Sequence, residues 1–267
     1  MPARLRSAGV ETLQIERADG VVTITLDRPK VKNAMSRQLF AELLETLLEI
    51  GERPEDRVVV LTGAGGDFCS GADLSGGGVF AGGEHMTFTM QWINQIPLAL
   101  HRMPKPTIAK VRGVAAGAGC NLALGCDLIV ASDNARFAEI FTRRGLTPDF
   151  GGTWLLPRLV GLHRAKELAF FADVVPAADA LAMGLLNRVV PDAELDDFVT
   201  GWATRLAKGA PIALAHTKRL LNQSVQGSLA DAIDAEGAAQ QVTVTTADVK
   251  EAVKAFLGKR EPTFEGR

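Results

Sequence analysis

The sequence predicts an α/β fold, a spiral of stacked strand-strand-helix (ββα) turns followed by a C-terminal helical region. Three observations carry this. The runs Arg57-Val58-Val59-Val60-Leu61-Thr62 and Thr107-Ile108-Ala109-Lys110-Val111 are short, branched and bounded by Gly or Pro, as buried strands are. Helical periodicity alternates with such runs, so strand ends present loops to a common cleft. From about Ala193 the strand signals stop, while apolar faces continue through Leu206, Ile212, Leu214, Leu220 and Leu221. The expected division is a core over residues 1–200 and a helical region over 201–267.

The elements follow in order. Met1 to Ser7 holds two arginines but no apolar stretch follows, and no run approaches the ~18 apolar residues of a membrane span, so a soluble cytoplasmic protein is expected. Thr12–Glu16 and Val21–Leu26 alternate and are joined through Asp19-Gly20, a hairpin signal. Ser36 offers an N-cap to a helix with Leu39, Phe40, Leu43, Leu44, Leu47 and Leu48 on one face and Gly51 placed to end it. Ser75 to Glu84 carries five glycines and reads either as a mobile lid or as a tolerated surface insertion. A helical run from about His85 to His101 precedes the strand at Thr107.

Composition narrows the chemistry. At 267 residues and 47% hydrophobic content the chain can bury a large core. A net charge of −2 and a pI near 6.1 give no general attraction to nucleic acid or anionic membrane. Cys69, Cys120 and Cys126 are odd in number and show no ligand spacing, so neither a disulfide framework nor a metal site is expected. Tyrosine is absent, which leaves Asp, Glu, His, Lys and Cys for proton chemistry. His85 borders the glycine segment, and His101, His163 and His216 lack partners at metal spacing. The strings Gly63-Ala64-Gly65-Gly66 and Gly117-Ala118-Gly119 lack the third glycine of a dinucleotide fingerprint and the Gly-Lys-Ser/Thr of a phosphate loop.

Two Gly/Ala-rich turns stand out, Phe68-Cys69-Ser70-Gly71-Ala72-Asp73-Leu74 and Gly113-Val114-Ala115-Ala116-Gly117-Ala118-Gly119-Cys120-Asn121, each reached from a strand. Turns of this kind, opening toward a helix N-terminus, leave backbone N–H groups free for an anionic oxygen. Two of them, about fifty residues apart, can aim at one carbonyl.

These turns, with Leu26-Asp27-Arg28-Pro29-Lys30, Asn33-Ala34-Met35, Cys126-Asp127-Leu128-Ile129-Val130-Ala131 and the tail Lys259-Arg260-Glu261-Pro262, resemble the crotonase superfamily of enoyl-CoA hydratases and isomerases across most of the chain. The resemblance implies a crotonase-like spiral and an acyl-CoA thioester substrate. Coenzyme A then arrives as part of the substrate, with no separate cofactor. It also implies a homotrimer or dimer of trimers assembled through the helical tail. Position by position, it assigns the oxyanion N–H groups to Ser70 and Ala118, and surrounds them with Ala72, Asp73, Leu74 and Gly117. The two glutamates of hydratases are replaced by Asn121 and Phe141.

Instead, Pro148-Asp149-Phe150-Gly151-Gly152-Thr153-Trp154 is similar to the ring-1,2-epoxyphenylacetyl-CoA isomerase branch, where an aspartate is the acid/base. This implies an isomerase that uses Asp149. Sequence alone leaves Asp149 equally readable as an N-cap. Phe141, Phe150 and Trp154 would desolvate it if they line the pocket. Glu139 enters the pocket only through a register shift; strand alternation turns it elsewhere. Asn121 either meets substrate or satisfies backbone. Lys30 and Lys32 hold phosphates, as the matching loop does in the family, or form a solvated charge pair; Lys218 and Lys259 have weaker claims. The competing readings are a hydratase, a dehalogenase-like enzyme with nucleophilic Asp149, and a non-catalytic acyl-CoA-binding subunit.

Overall fold

The computed structural model describes residues 10–75, 83 and 85–267. Strands β1 (Leu13–Ala18) and β2 (Val21–Leu26) form the antiparallel hairpin that the alternation predicts, turning through Asp19 and Gly20 at φ of 50° and 79°. Helix α1 (Arg37–Glu52) starts where expected, with Ser36 Oγ accepting from the Leu39 N–H across 3.2 Å. It runs through Gly51 and ends one residue later, because Gly51 does not enter the left-handed region that stops helices.

After β3 (Val58–Gly63) come two helices instead of one continuous run, α2 (Met86–Ile93) and α3 (Gln95–Arg102). The ladder breaks at Asn94 because Pro97 has no N–H to offer Ile93. Next come β4 (Thr107–Val111), β5 (Val114–Ala116), α4 (Ala118–Leu124), β6 (Leu128–Ser132) and β7 (Arg136–Ala138). Helices α5 (Gly152–Val160) and α6 (Leu162–Phe171), β8 (Val175–Pro176), α7 (Ala177–Ala182) and β9 (Arg188–Val190) complete the alternation. The chain then continues as α8 (Leu195–Ala207), α9 (Pro211–Ser224), α10 (Leu229–Thr243) and α11 (Ala247–Leu257).

The main sheet has the order β1-β2-β3-β4-β6-β9 and is parallel beyond the hairpin; β5-β7-β8 form a second, smaller sheet. Both faces of β3 are covered, which is why its sequence is continuously apolar. Val59 and Leu61 join the core under α1, and Val58 and Val60 pack with Ile108 and Val130 beneath Leu195, Val199 and Ala203 of α8. The boundary expected at residue 200 therefore falls inside a helix that belongs to the core. The helices that leave the sheet begin at Pro211, after the break at 208–210. Arg57 ties the tail back to the core, donating to Phe264 O at 2.9 Å and Ala207 O at 3.3 Å. Among the described residues no helix is long and apolar enough to cross a membrane. The glycine segment read as a lid or insertion lies mostly outside the described residues, as do Met1 to Ser7.

Candidate active site

The first turn is fixed by strand-like bonds on both sides. Cys69 N–H donates to Val114 O at 2.9 Å and Ala116 N–H to Cys69 O at 2.9 Å, while Met35 N–H donates to Gly71 O and Asp73 N–H to Met35 O. This alternation decides which N–H is free. Ser70, expected to supply an oxyanion donor, instead gives its N–H to Lys32 O at 3.0 Å and its hydroxyl to Val31 O at 3.2 Å. Ser70 therefore clamps the basic loop and has no N–H left for an oxyanion, contrary to the sequence expectation. The Ala72 N–H has no acceptor among the described residues, and with Gly71 O and Asp73 N–H both spent on Met35 it points to the opposite side.

That side is occupied by the second turn. Gly117 has φ 54° and ψ −127°, a conformation open to glycine, and caps α4 so that the first-turn N–H of Ala118 has no acceptor among the described residues. A Cβ on Gly71 would lie 3.7 Å from Ala118 N and 2.8 Å from Ala116 O. The two turns therefore touch, and Ala72 and Ala118 present unspent N–H groups across that contact. Phe141 is buried against Gly117, within 3.8 Å of where its Cβ would be, so an apolar ring walls this side.

Asp149 sits on the loop before α5, between buried Phe150 and half-buried Pro148. Its Oδ1 is buried without a hydrogen-bond partner, and burial pushes its carboxyl up to about 6. The loop is held from α4: the Asn121 side-chain N–H donates to Asp149 O across 2.9 Å. Asn121 is fully buried and so acts on the backbone, one of its two expected roles. Gly152 packs on the same amide, since a Cβ there would fall 2.3 Å from Asn121 Nδ2.

Glu139 is where alternation did not place it. β7 ends at Ala138, and a tight turn closed by Phe141 N–H to Glu139 O at 2.9 Å swings the carboxyl inward. Glu139 is only 4% exposed, and its Oε2 is 3.4 Å from Asn121 Nδ2. Burial, and beyond that the charge of Asp149, push it up to about 7.

A cavity of about 1200 Å³ opens on Asp149. Met90, Pro97, Leu98 and Trp154 give it apolar wall, and His101 and Arg102 polar edge. Asp149 is in its lining, whereas Ala72 and Ala118 are not.

Other expected residues sort differently. Lys30 is exposed with no ion-pair partner among the described residues, whereas Lys32 lies 3.6 Å from Asp67. Lys218 is spent on Asp127 at 2.8 Å and on Leu100 O and Lys105 O, which removes it as a phosphate ligand. Asp73 is structural: Ser75 and Arg28 hold its carboxyl below its ordinary range, and Arg28 Nη1 is 2.9 Å from Oδ2. Leu74 is exposed. Phe150, expected to meet substrate, lines the cavity beside Asp149 and is buried against Phe40, ring centroids 6.1 Å apart, which anchors the Asp149 loop. His85 caps α2 through Thr87 N–H. All three cysteines are buried and unpaired, their thiols pushed up by burial, Cys69 and Cys126 to about 12. Among the described residues no three His, Cys, Asp or Glu side chains cluster as metal ligands.

Residues 16–267 match the profile of the family described as enoyl-CoA hydratase/isomerase. The chain is 41% identical to a "Probable enoyl-CoA hydratase" of Rhodobacter capsulatus, over 96% of this chain and 98% of that one. It is 38% identical to the 1,2-epoxyphenylacetyl-CoA isomerase of Escherichia coli, over 93% and 96%. The crystal structure of an enoyl-CoA hydratase from Bacillus anthracis superposes with a TM-score of 0.91 at 33% identity, covering 96% of this chain and all of that one.

Proposed function

The chain belongs to the enoyl-CoA hydratase/isomerase family, and from that premise we propose that it isomerises an acyl-CoA thioester, with Asp149 moving a proton between C2 and C4. The observation that carries this reading is the desolvated carboxyl of Asp149 in the lining of the cavity, its Oδ1 buried and without a hydrogen-bond partner. The thioester oxygen lies between the Ala72 and Ala118 N–H groups, which stabilise the enolate that forms when C2 loses its proton. Main-chain donors fixed by strand bonds are already oriented before charge develops, which is what makes them effective. Asp149, raised toward neutrality, takes the proton and returns it to the other carbon from the same side. Phe141 supplies no second carboxyl beside the turn, so no group there activates water.

The acyl portion fills the cavity between α3, α5 and α9, and the coenzyme A phosphates meet Lys30, whose loop Ser70 clamps. No separate cofactor or metal takes part. Exposed apolar side chains on the tail, among them Leu229, Ile233, Phe256 and Leu257, favour assembly as a trimer or dimer of trimers.

One observation favours a hydratase: Glu139 reaches the same buried cluster as Asp149, so the site holds two carboxyls after all. Incubation with 2-enoyl-CoA and 3-enoyl-CoA in deuterated water, followed by mass, separates the readings. Isomerisation interconverts the two without adding the mass of water, hydration adds it, and a binding subunit does neither.

A further inference from the structure

Three buried side-chain oxygens around Asn121 have no hydrogen-bond donor among the described residues: Asn121 Oδ1, Glu139 Oε1 and Asp149 Oδ1. All three are acceptors when the carboxyls are ionised. The donors that reach this cluster are already in use. The Asn121 amide donates to Asp149 O at 2.9 Å and approaches Glu139 Oε2 at 3.4 Å. No Lys, Arg or His among the described residues pairs with Glu139; the titratable groups that face it are Cys120 on α4 and Asp149 on the loop before α5.

Such a cluster cannot hold two negative charges cheaply, because each would be buried without a cation. A single proton resolves both problems at once, since it neutralises one carboxyl and turns one acceptor into a donor. Glu139 is the deeper of the two, and Asp149 is the one at the cavity.

We propose that Glu139 is a positioning residue that works as the neutral acid: its O–H completes the acceptor cluster around Asn121, holds the amide that carries the Asp149 loop, and leaves Asp149 as the one carboxyl that ionises in the working site. The inference rests on the reading of Asp149 as the proton carrier. It adds an upper pH limit to the reaction, because ionising Glu139 puts a second charge into the cluster. The two carboxyls titrate as a coupled pair with two macroscopic steps. Burial, and then the charge of Asp149, push Glu139 up to about 7, and burial pushes Asp149 up to about 6.

The test combines infrared difference spectroscopy of the intact, substrate-free protein across pH 4–9 with the pH profile of C2–H exchange on a saturated acyl-CoA. Glu139→Gln keeps the shape and a donor but cannot ionise. The expected result is a protonated, desolvated carboxyl band in the wild type at pH 6.5 that is missing in Glu139→Gln and titrates at lower pH in Asp149→Asn, where the neighbouring charge is gone. Exchange by Glu139→Gln stays within about threefold at its optimum and loses its alkaline limb, while Glu139→Ala loses about tenfold or more. A band at pH 6.5 that persists in Glu139→Gln overturns the proposal. So does a loss of about 10²-fold in Glu139→Gln at every pH, which would make Glu139 itself a proton carrier. If the thioester reading is wrong, exchange is silent even in the wild type, and the infrared titration still decides the charge of Glu139.

Discussion

The side-chain amide of Asn121 donates to the main-chain carbonyl of Asp149 across 2.9 Å. One short helix thus begins with a free N–H at Ala118 and, one turn on, holds the loop that carries the carboxyl. The spacing between the Ala118 N–H and the Asp149 carboxyl, the proposed oxyanion donor and proton carrier, is thereby set from one helix.

Asp149→Asn keeps the shape of the side chain and removes the base. Isomerisation and C2–H exchange should both fall by about 10²-fold or more, with thioester affinity changed little. Single-turnover mass analysis alongside equilibrium binding checks this; near-normal turnover would remove Asp149 from the chemistry.

Ala118→Pro deletes one oxyanion donor at the first position of α4, where helices accept proline. The expected loss in kcat is about 10²–10³-fold with the circular dichroism spectrum unchanged. Ser70→Ala, by contrast, should leave kcat alone and raise KM, because it loosens the Lys30 loop and touches no donor. Equal kcat losses in the two variants would contradict this division of labour between Ala118 and Ser70.

Lys30→Ala should weaken coenzyme A thioesters while leaving kcat intact, and should flatten the salt dependence of KM. A KM series from low to high ionic strength on both proteins is the measurement.

Glu139 also makes stability depend on pH. In the unfolded chain it ionises near its ordinary 4.5, but in the folded protein near 7, so the folded state keeps a proton that the unfolded state has lost. Stability from this group is complete below about 4.5, falls as pH rises toward 7, and is flat above it. Glu139→Gln should remove a difference on the order of 3 kcal/mol between acidic and neutral pH, read from urea midpoints. A wild-type stability that rises over this window relative to Glu139→Gln would show that the sign is wrong.

Light scattering at micromolar concentration should give three or six times the 28.4 kDa chain mass. Phe256→Asp with Leu257→Asp, two of the most exposed apolar positions in the tail, should reduce it.

Local signals carried most of the fold. The Asp19-Gly20 hairpin, the Ser36 cap and the branched run of β3 each depend on residues close in sequence, and each forms as read. What escaped depends on distant partners. Whether Ser70 or Ala72 keeps its N–H free is decided by residues 32–35, which flank the turn from another part of the chain. Glu139 faces inward because β7 stops one residue before it, and a three-residue turn cancels the alternation on which its outward reading relied. Amphipathic periodicity shows that α8 has an apolar face but not that this face lies on Val58 and Val60, so the sequence places the end of the core too early.

The proposed oxyanion donors are peptide groups whose positions are set by neighbouring main-chain bonds, whereas the proposed proton-handling groups are side chains in the cluster around Asn121. Heritable change therefore acts on them unequally. No codon substitution short of proline erases an N–H at Ala72 or Ala118, but one nucleotide can turn Asp149 into Asn, or Glu139 into Gln. On the proposed reading, a lineage carrying this scaffold keeps the means to polarise a thioester while the reaction that follows stays open to revision, one side chain at a time.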